Sequence, residues 1–167
     1  MKNIYFFETQ IGRIGIAEEA NGLTNVFFET DFNMKTVSDK ERFLQQSGYY
    51  FKETELLINA GKQLDEYLNG KRTVFQLPLA PKGTDFMKTV WNCLNTIPYG
   101  ETRSYKQIAE VAGNPKACRA VGMANNKNPI PIFIPCHRVV GANGGLTGYR
   151  GGLEIKQKLL EIEKLKI

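Results

Sequence analysis

Hydrophobic spacing changes twice along this chain. Near the start, apolar residues come in short β-rich runs: Ile4-Tyr5-Phe6-Phe7, Ile14-Gly15-Ile16 and Val26-Phe27-Phe28. They predict strands over 3–8, 11–17 and 23–29. Asn21-Gly22, between the last two, is a strong hairpin signal, so a small antiparallel sheet is expected. Residues 31–50 are polar and irregular and predict no element. Over 53–68 the period lengthens. Leu56, Leu57, Ala60, Leu64, Tyr67 and Leu68 share one helical face, and Asn69-Gly70 stops the helix. Residues 70–83, with Pro78, Pro81 and Gly83, read as a linker. Nothing in residues 1–70 suggests chemistry.

Beyond the linker the pattern is mainly helical. Thr84 is suited to N-cap a helix whose apolar face is Phe86, Val90, Cys93, Leu94 and Ile97, ended by Pro98-Tyr99-Gly100. Cys93 sits among core residues and reads as structural. Ser104 and Gln107 fit a capping box that opens a helix to Val111, with Gly113 as its stop. Asn114 as cap and Pro115 in the first turn then predict a helix over 116–126. That second helix carries small residues, Ala117-Cys118-Arg119-Ala120-Val121-Gly122, around one arginine. Helix pairs of this kind occur with and without a nucleic-acid role. A last helix is expected over 153–165, with Ile155, Leu159 and Ile162 on one face and Glu163 near its end.

Between these helices lies the stretch richest in chemistry. Asn128-Pro129-Ile130-Pro131-Ile132-Phe133-Ile134-Pro135 predicts a stiff, buried, extended or polyproline wall. It runs into Cys136, His137, the only histidine, and Arg138. A thiol beside an imidazole and a guanidinium is expected to have a lowered pKa. A buried, inert cysteine is the bland alternative. In a regular strand, neighbours 136 and 137 would point to opposite faces, so a direct pair needs a turn or an intervening water. A glycine-rich loop, 141–152, follows closely and reads as a connection or as a lid over a pocket.

Charge sharpens this picture. The net charge is +5. Residues 1–83 hold 10 Lys and Arg against 11 Asp and Glu, whereas residues 84–167 hold 12 against 6. The basic excess lies wholly in the half with the reactive stretch. Together with the helix pair, it favours DNA as the partner over a merely soluble basic surface. The small-residue helix offers little to read base edges. It suits close approach to the backbone and minor groove, with weak sequence preference. Three dispersed cysteines point to a reducing compartment, and with one histidine they give no zinc spacing. No run approaches a membrane span, the first twelve residues make no convincing signal peptide, and the mean hydropathy of −0.32 is that of an ordinary globular chain.

Arg119-Ala120-Val121-Gly122, Asn128-Pro129, Ile134-Pro135-Cys136-His137-Arg138-Val139 and Tyr149-Arg150-Gly151-Gly152, in this order and spacing, closely resemble the O6-alkylguanine-DNA alkyltransferases. The match covers most of residues 84–163. The resemblance implies an α+β chain: an N-terminal α/β structural domain of ribonuclease-H-like topology over 1–80, then a mainly helical domain with a winged helix-turn-helix over 84–167. It implies that Cys136 takes the alkyl group, that His137 deprotonates it through a water, that Glu163 orients His137, and that Asn128 braces the turn. Tyr105 is implied to push the DNA phosphate round and protonate the leaving guanine. Arg119 is implied to fill the gap left by the flipped base, with Ala117, Cys118, Ala120 and Gly122 beside it on the DNA-facing helix. Val139, Tyr149, Arg150 and Pro131 are implied at the guanine pocket.

The implied reaction is one irreversible alkyl transfer from O6-alkylguanine in duplex DNA, with no metal or organic cofactor; a monomer is expected, and the lack of an export signal places it in the cytoplasm (the nucleus in a eukaryote). Arg150 stands where some relatives have a small residue, and Asn125 where some have an apolar one. Zinc ligands found near the N-terminus of some relatives are absent. The competing readings are an alkyltransferase-like lesion binder, which lacks the cysteine, a helix-turn-helix regulator, and a cysteine hydrolase, which brings its histidine from afar.

Overall fold

The computed structural model describes residues 1–20 and 22–165, and the chain divides into two compact units, Met1–Ala80 and Pro81–Ile167. In the first unit, β1 (Lys2–Thr9), β2 (Gly12–Glu19) and β3 (Gly22–Phe27) form an antiparallel meander. Asn21, in the expected hairpin turn, lies outside the described residues. Residues 31–50 are not irregular. They hold the second half of a short helix α1 (Glu29–Phe32), a helix α2 (Val37–Ser47) and the start of a two-residue strand β4 (Tyr50–Phe51). Strand β4 pairs in parallel with β1, so the sheet is mixed, in the order β3-β2-β1-β4. No residue of α2 is buried, which is why no apolar stripe marks it; Thr36 and Asp39 close its N-terminus reciprocally.

Helix α3 (Glu55–Leu68), capped by Thr54, packs on β1 and β2 through Leu57, Ala60, Leu64, Tyr67 and Leu68. The helix lies so close that a Cβ on Gly61 would meet the Phe7 ring at 2.2 Å.

In the second unit, α4 (Asp85–Leu94) is capped by Thr84 and buries Val90, Trp91, Cys93 and Leu94. Ile97 lies past the helix end but is buried all the same. A strand β5 (Arg103–Ser104) leads into α5 (Tyr105–Val111), which has the expected Ser104–Gln107 capping box. Helix α6 covers Cys118–Asn126 and starts two residues later than expected. Asn114 caps the turn before it instead, its Oδ1 accepting from Lys116 N and its carbonyl from Ala117 N. Trp91 Nε1 donates to Ala124 O at 2.8 Å and ties α4 to α6.

The proline-rich stretch is not an extended wall. Ile134 N donates to Ile130 O, Pro131 bridges Ile134, and Ile132 has φ +76°. A β-branched residue in the left-handed region is costly, so this is a strained turn held by its surroundings. Every residue from 130 to 140 is buried, as the apolar content predicts. A 3-10 turn, Cys136–Arg138, follows, then β6 (Val139–Val140), which pairs in parallel with β5. The last helix, α7, covers Leu153–Leu165. Its buried stripe is Lys156, Leu159, Leu160 and Glu163, not Ile155, Leu159 and Ile162; Ile155 and Ile162 are half-buried.

Candidate active site

The reactive turn is built by backbone hydrogen bonds that Asn128 completes. Asn128 is 2% exposed; its Nδ2 donates to Ile134 O at 2.9 Å and its Oδ1 accepts from Ile130 N at 3.0 Å. Those two bonds cross-link the strained turn. Cys136 N donates to Ile134 O at 2.8 Å, which sets the thiol at the start of the 3-10 turn. Because 136 and 137 lie in that turn and not in a strand, their side chains are not forced to opposite faces.

His137 is fully buried and its Nε2 lies 2.9 Å from Glu163 Oε1. Arg138 closes on the same carboxylate, with Nε at 3.1 Å from both oxygens and Nη2 at 2.8 Å from Oε1. Its Nη1 donates to Ile97 O at 2.7 Å, and Gly100 N donates to Glu163 Oε2 at 3.4 Å. Burial alone would raise the Glu163 pKa, but the hydrogen bonds from His137 and Arg138 outweigh it and bring it down to about 2. Burial pushes His137 below its ordinary value, against the pull of Glu163. The resting trio is therefore a neutral imidazole, a carboxylate and a guanidinium.

The thiol departs from expectation. Burial raises the Cys136 pKa, only partly offset by the Asn128 side chain and the charges of Arg150 and Lys156. Arg138 does not act on the sulfur; it is committed to Glu163 and to Ile97 O. The resting group is a buried thiol, not a standing thiolate.

Lys156 was not read from the sequence. It is fully buried, and its Nζ donates to Val139 O at 2.7 Å and Thr147 O at 3.0 Å. Burial lowers its pKa, and a negative charge on Cys136, once the thiol ionises, opposes that. It pins the strand leaving the reactive turn to the glycine-rich loop. The one legible signal was its position on the 156/159/160/163 stripe of α7.

The remaining sequence-predicted residues divide in two. Pro131 and Val139 are buried in the reactive segment, Tyr149 is half-buried, and Arg150 is exposed with Nη1 donating to Asn128 O at 3.3 Å. On α6, Arg119 and Ala120 are exposed and Cys118 and Gly122 half-exposed; Ala117, also half-exposed, is its N-cap. Tyr105 opens α5, and its hydroxyl lies 2.6 Å from Thr147 Oγ1. Asn125, 2% exposed, sends Nδ2 toward Cys136 O at 3.5 Å. Among the described residues no group of His, Cys, Asp and Glu could hold a metal ion, and no helix is long and apolar enough to cross a membrane.

Cys136, His137 and Glu163 are thus all buried in the second unit, with the imidazole hydrogen-bonded to the carboxylate. Residues 85–165 match the model of the 6-O-methylguanine DNA methyltransferase DNA binding domain, and residues 4–81 match that family's ribonuclease-like domain. A methylated-DNA–protein-cysteine methyltransferase of Methanosarcina acetivorans is 48% identical over 157 residues, 94% of this chain and 95% of that protein. The constitutive one of Bacillus subtilis is 48% identical over 159 residues, 95% and 93% of the two chains. Among solved structures, the Mycobacterium tuberculosis O6-methylguanine methyltransferase superposes with a TM-score of 0.84 at 40% identity, over 100% of this chain and 95% of that one. The M. tuberculosis protein in complex with DNA gives 0.83 at 41% identity, over 98% and 94%. The chain belongs to the 6-O-methylguanine DNA methyltransferase family.

Proposed function

We propose that this protein repairs DNA by moving the methyl group of O6-methylguanine onto its own Cys136. The observation that carries this reading is the buried Cys136-His137 turn hydrogen-bonded to Glu163 inside the DNA-binding unit. The kinship with proteins named for this transfer, and with one crystallised on DNA, supports it. Residues 84–167 carry DNA binding and transfer; residues 1–80 serve as a structural domain.

The target atom lies inside a duplex, so the base is turned out of the stack at a cost of a few kcal/mol. Arg119, exposed on α6 among Ala117, Cys118, Ala120 and Gly122, fills the gap while the small residues let the helix approach the backbone closely. Tyr105 presses on the phosphate and gives a proton to the leaving base. Val139, Tyr149, Pro131 and Arg150 line the site for the extruded guanine.

The thiol is neutral at rest, so it is deprotonated as it reacts. With Nε2 held by Glu163, the proton passes through a water to the His137 nitrogen turned away from that acid, Nδ1. Glu163 then faces an imidazolium, a charge it stabilises as a carboxylate. The Sγ–C bond forms as the C–O6 bond breaks. The electron pair of that bond passes into the guanine, which takes up one proton as the thiol gives one up. The product is a thioether, which has no good leaving group, so each molecule acts once.

We place the protein in the cytoplasm, a reading the three free cysteines support, and take it to act as a monomer. A duplex with one O6-methylguanine tests the function. Chromatography of its digested nucleosides should show guanine restored, one lesion per protein molecule and no more. No restoration, or many lesions per molecule, contradicts the reading.

A further inference from the structure

Tyr105 and Thr147 are 42 residues apart in the chain, yet their hydroxyls meet at 2.6 Å. We propose that Thr147 is a positioning residue for Tyr105: its hydroxyl donates to the phenol oxygen and turns the phenol proton toward the substrate. The inference rests on the function proposed above, in which Tyr105 gives that proton to the leaving guanine.

Proton counting sets the direction. A phenol has one proton and can also accept. If Tyr105 spends its proton on Thr147, it has none for the base. The productive arrangement is the reverse, with Thr147 as donor. A hydroxyl that accepts one hydrogen bond becomes a better donor of its own, because linked bonds polarise one another.

Thr147 is held firmly enough to do this. Its carbonyl accepts from Lys156 Nζ at 3.0 Å, and the same nitrogen donates to Val139 O at 2.7 Å. Val139 lies three residues after Cys136. The fully buried Lys156 thus indexes Thr147, and through it the phenol, to the strand leaving the reactive turn. The other side of the ring offers little support. Gly122 has no side chain, and a Cβ built there would only just touch the ring, at 3.8 Å. Threonine adds a branched, stiff χ1 to the loop side.

The test is single-turnover transfer measured over a range of duplex concentration, which separates DNA affinity from the transfer rate. Thr147→Val keeps the shape and removes the hydroxyl. It should slow transfer about two- to tenfold, the worth of one hydrogen bond, with duplex affinity unchanged. Thr147→Ser, which keeps the hydroxyl but loses the branch, should recover most of the rate that Thr147→Val loses. In a Tyr105→Phe background Thr147→Val should add nothing, since the partner is already gone. A Thr147→Val loss that persists undiminished beside Tyr105→Phe, or that falls wholly on affinity, overturns the inference. So does a Thr147→Val protein as fast as a working wild type. A wild type that restores no guanine overturns the functional reading and this inference with it.

Discussion

The two units spend burial differently. Among the described residues of Met1–Ala80 the buried polar ones are Asn3, Thr24 and Gln63, all uncharged. The same unit clusters rings, among them Tyr5 stacked on Phe51 and Phe6 edge-on to Phe32 and Phe43. In Pro81–Ile167 the buried set includes His137, Arg138, Lys156 and Glu163. Burying ionisable groups stabilises little and often costs stability, even when they are paired. On the proposed function, the first unit serves as a folding unit and the second carries its charges for what they do to Cys136 and its turn. Removing a buried apolar group from the first unit should cost stability but not transfer rate; removing a buried charge in the second unit should cost transfer beyond any change in stability.

The largest effect is expected at Glu163. Glu163→Gln leaves Arg138 buried without its carboxylate, which should cost about 3–5 kcal/mol in urea unfolding and nearly abolish transfer. Leu64→Ala, in the apolar core of the first unit, should cost about 2–5 kcal/mol, yet the fraction that stays folded should transfer at the wild-type rate. Lys156→Met is the sharper contrast. An apolar chain of similar length takes that donor from Val139 O and Thr147 O, which should cost about 1–3 kcal/mol, while transfer falls about tenfold, since no cation then offsets the developing thiolate. If stability falls and transfer does not, the division between the units is wrong.

Acid should act in a graded way. His137 is held below its ordinary value of 6.5, so as pH falls through 6.5 the unfolded chain takes up that proton first and stability declines. Glu163, at about 2 in the fold against 4.5 ordinarily, adds stability that is complete above 4.5 and lost as pH falls toward 2. Urea midpoints across this range should fall monotonically, and Glu163→Gln should lose the lower part of the slope. The transfer rate should fall in acid with a midpoint below 6.5, where His137 takes up its proton.

Much of the frame was legible because it follows period and caps. The three long strands, α3, α4 and α5 announce themselves by apolar spacing and by Thr84 and Ser104. What escaped was decided by tertiary context. Helix α2 buries nothing, so only its Thr36–Asp39 cap betrayed it. The stripe of α7 differs from its apolar pattern because Lys156 and Glu163 occupy core positions that hydrophobicity assigns to isoleucines. The three prolines suggested extension, but Asn128 and the positive φ of Ile132 fold them into a turn. Adjacency in sequence paired Arg138 with Cys136, whereas its guanidinium reaches across to Glu163. Cys136, His137, Glu163 and Asn128 were readable as a group only through the family pattern, since no local rule joins residue 137 to residue 163.

Peptide-mapped mass spectrometry tests the central claim most directly. The protein is incubated with a duplex carrying O6-methylguanine and then digested. The account predicts one added methyl on the peptide containing Cys136, none on those with Cys93 or Cys118, and none anywhere in Cys136→Ala. An unmodified Cys136 peptide from protein that has bound the lesion, or a methyl on another residue, would contradict it.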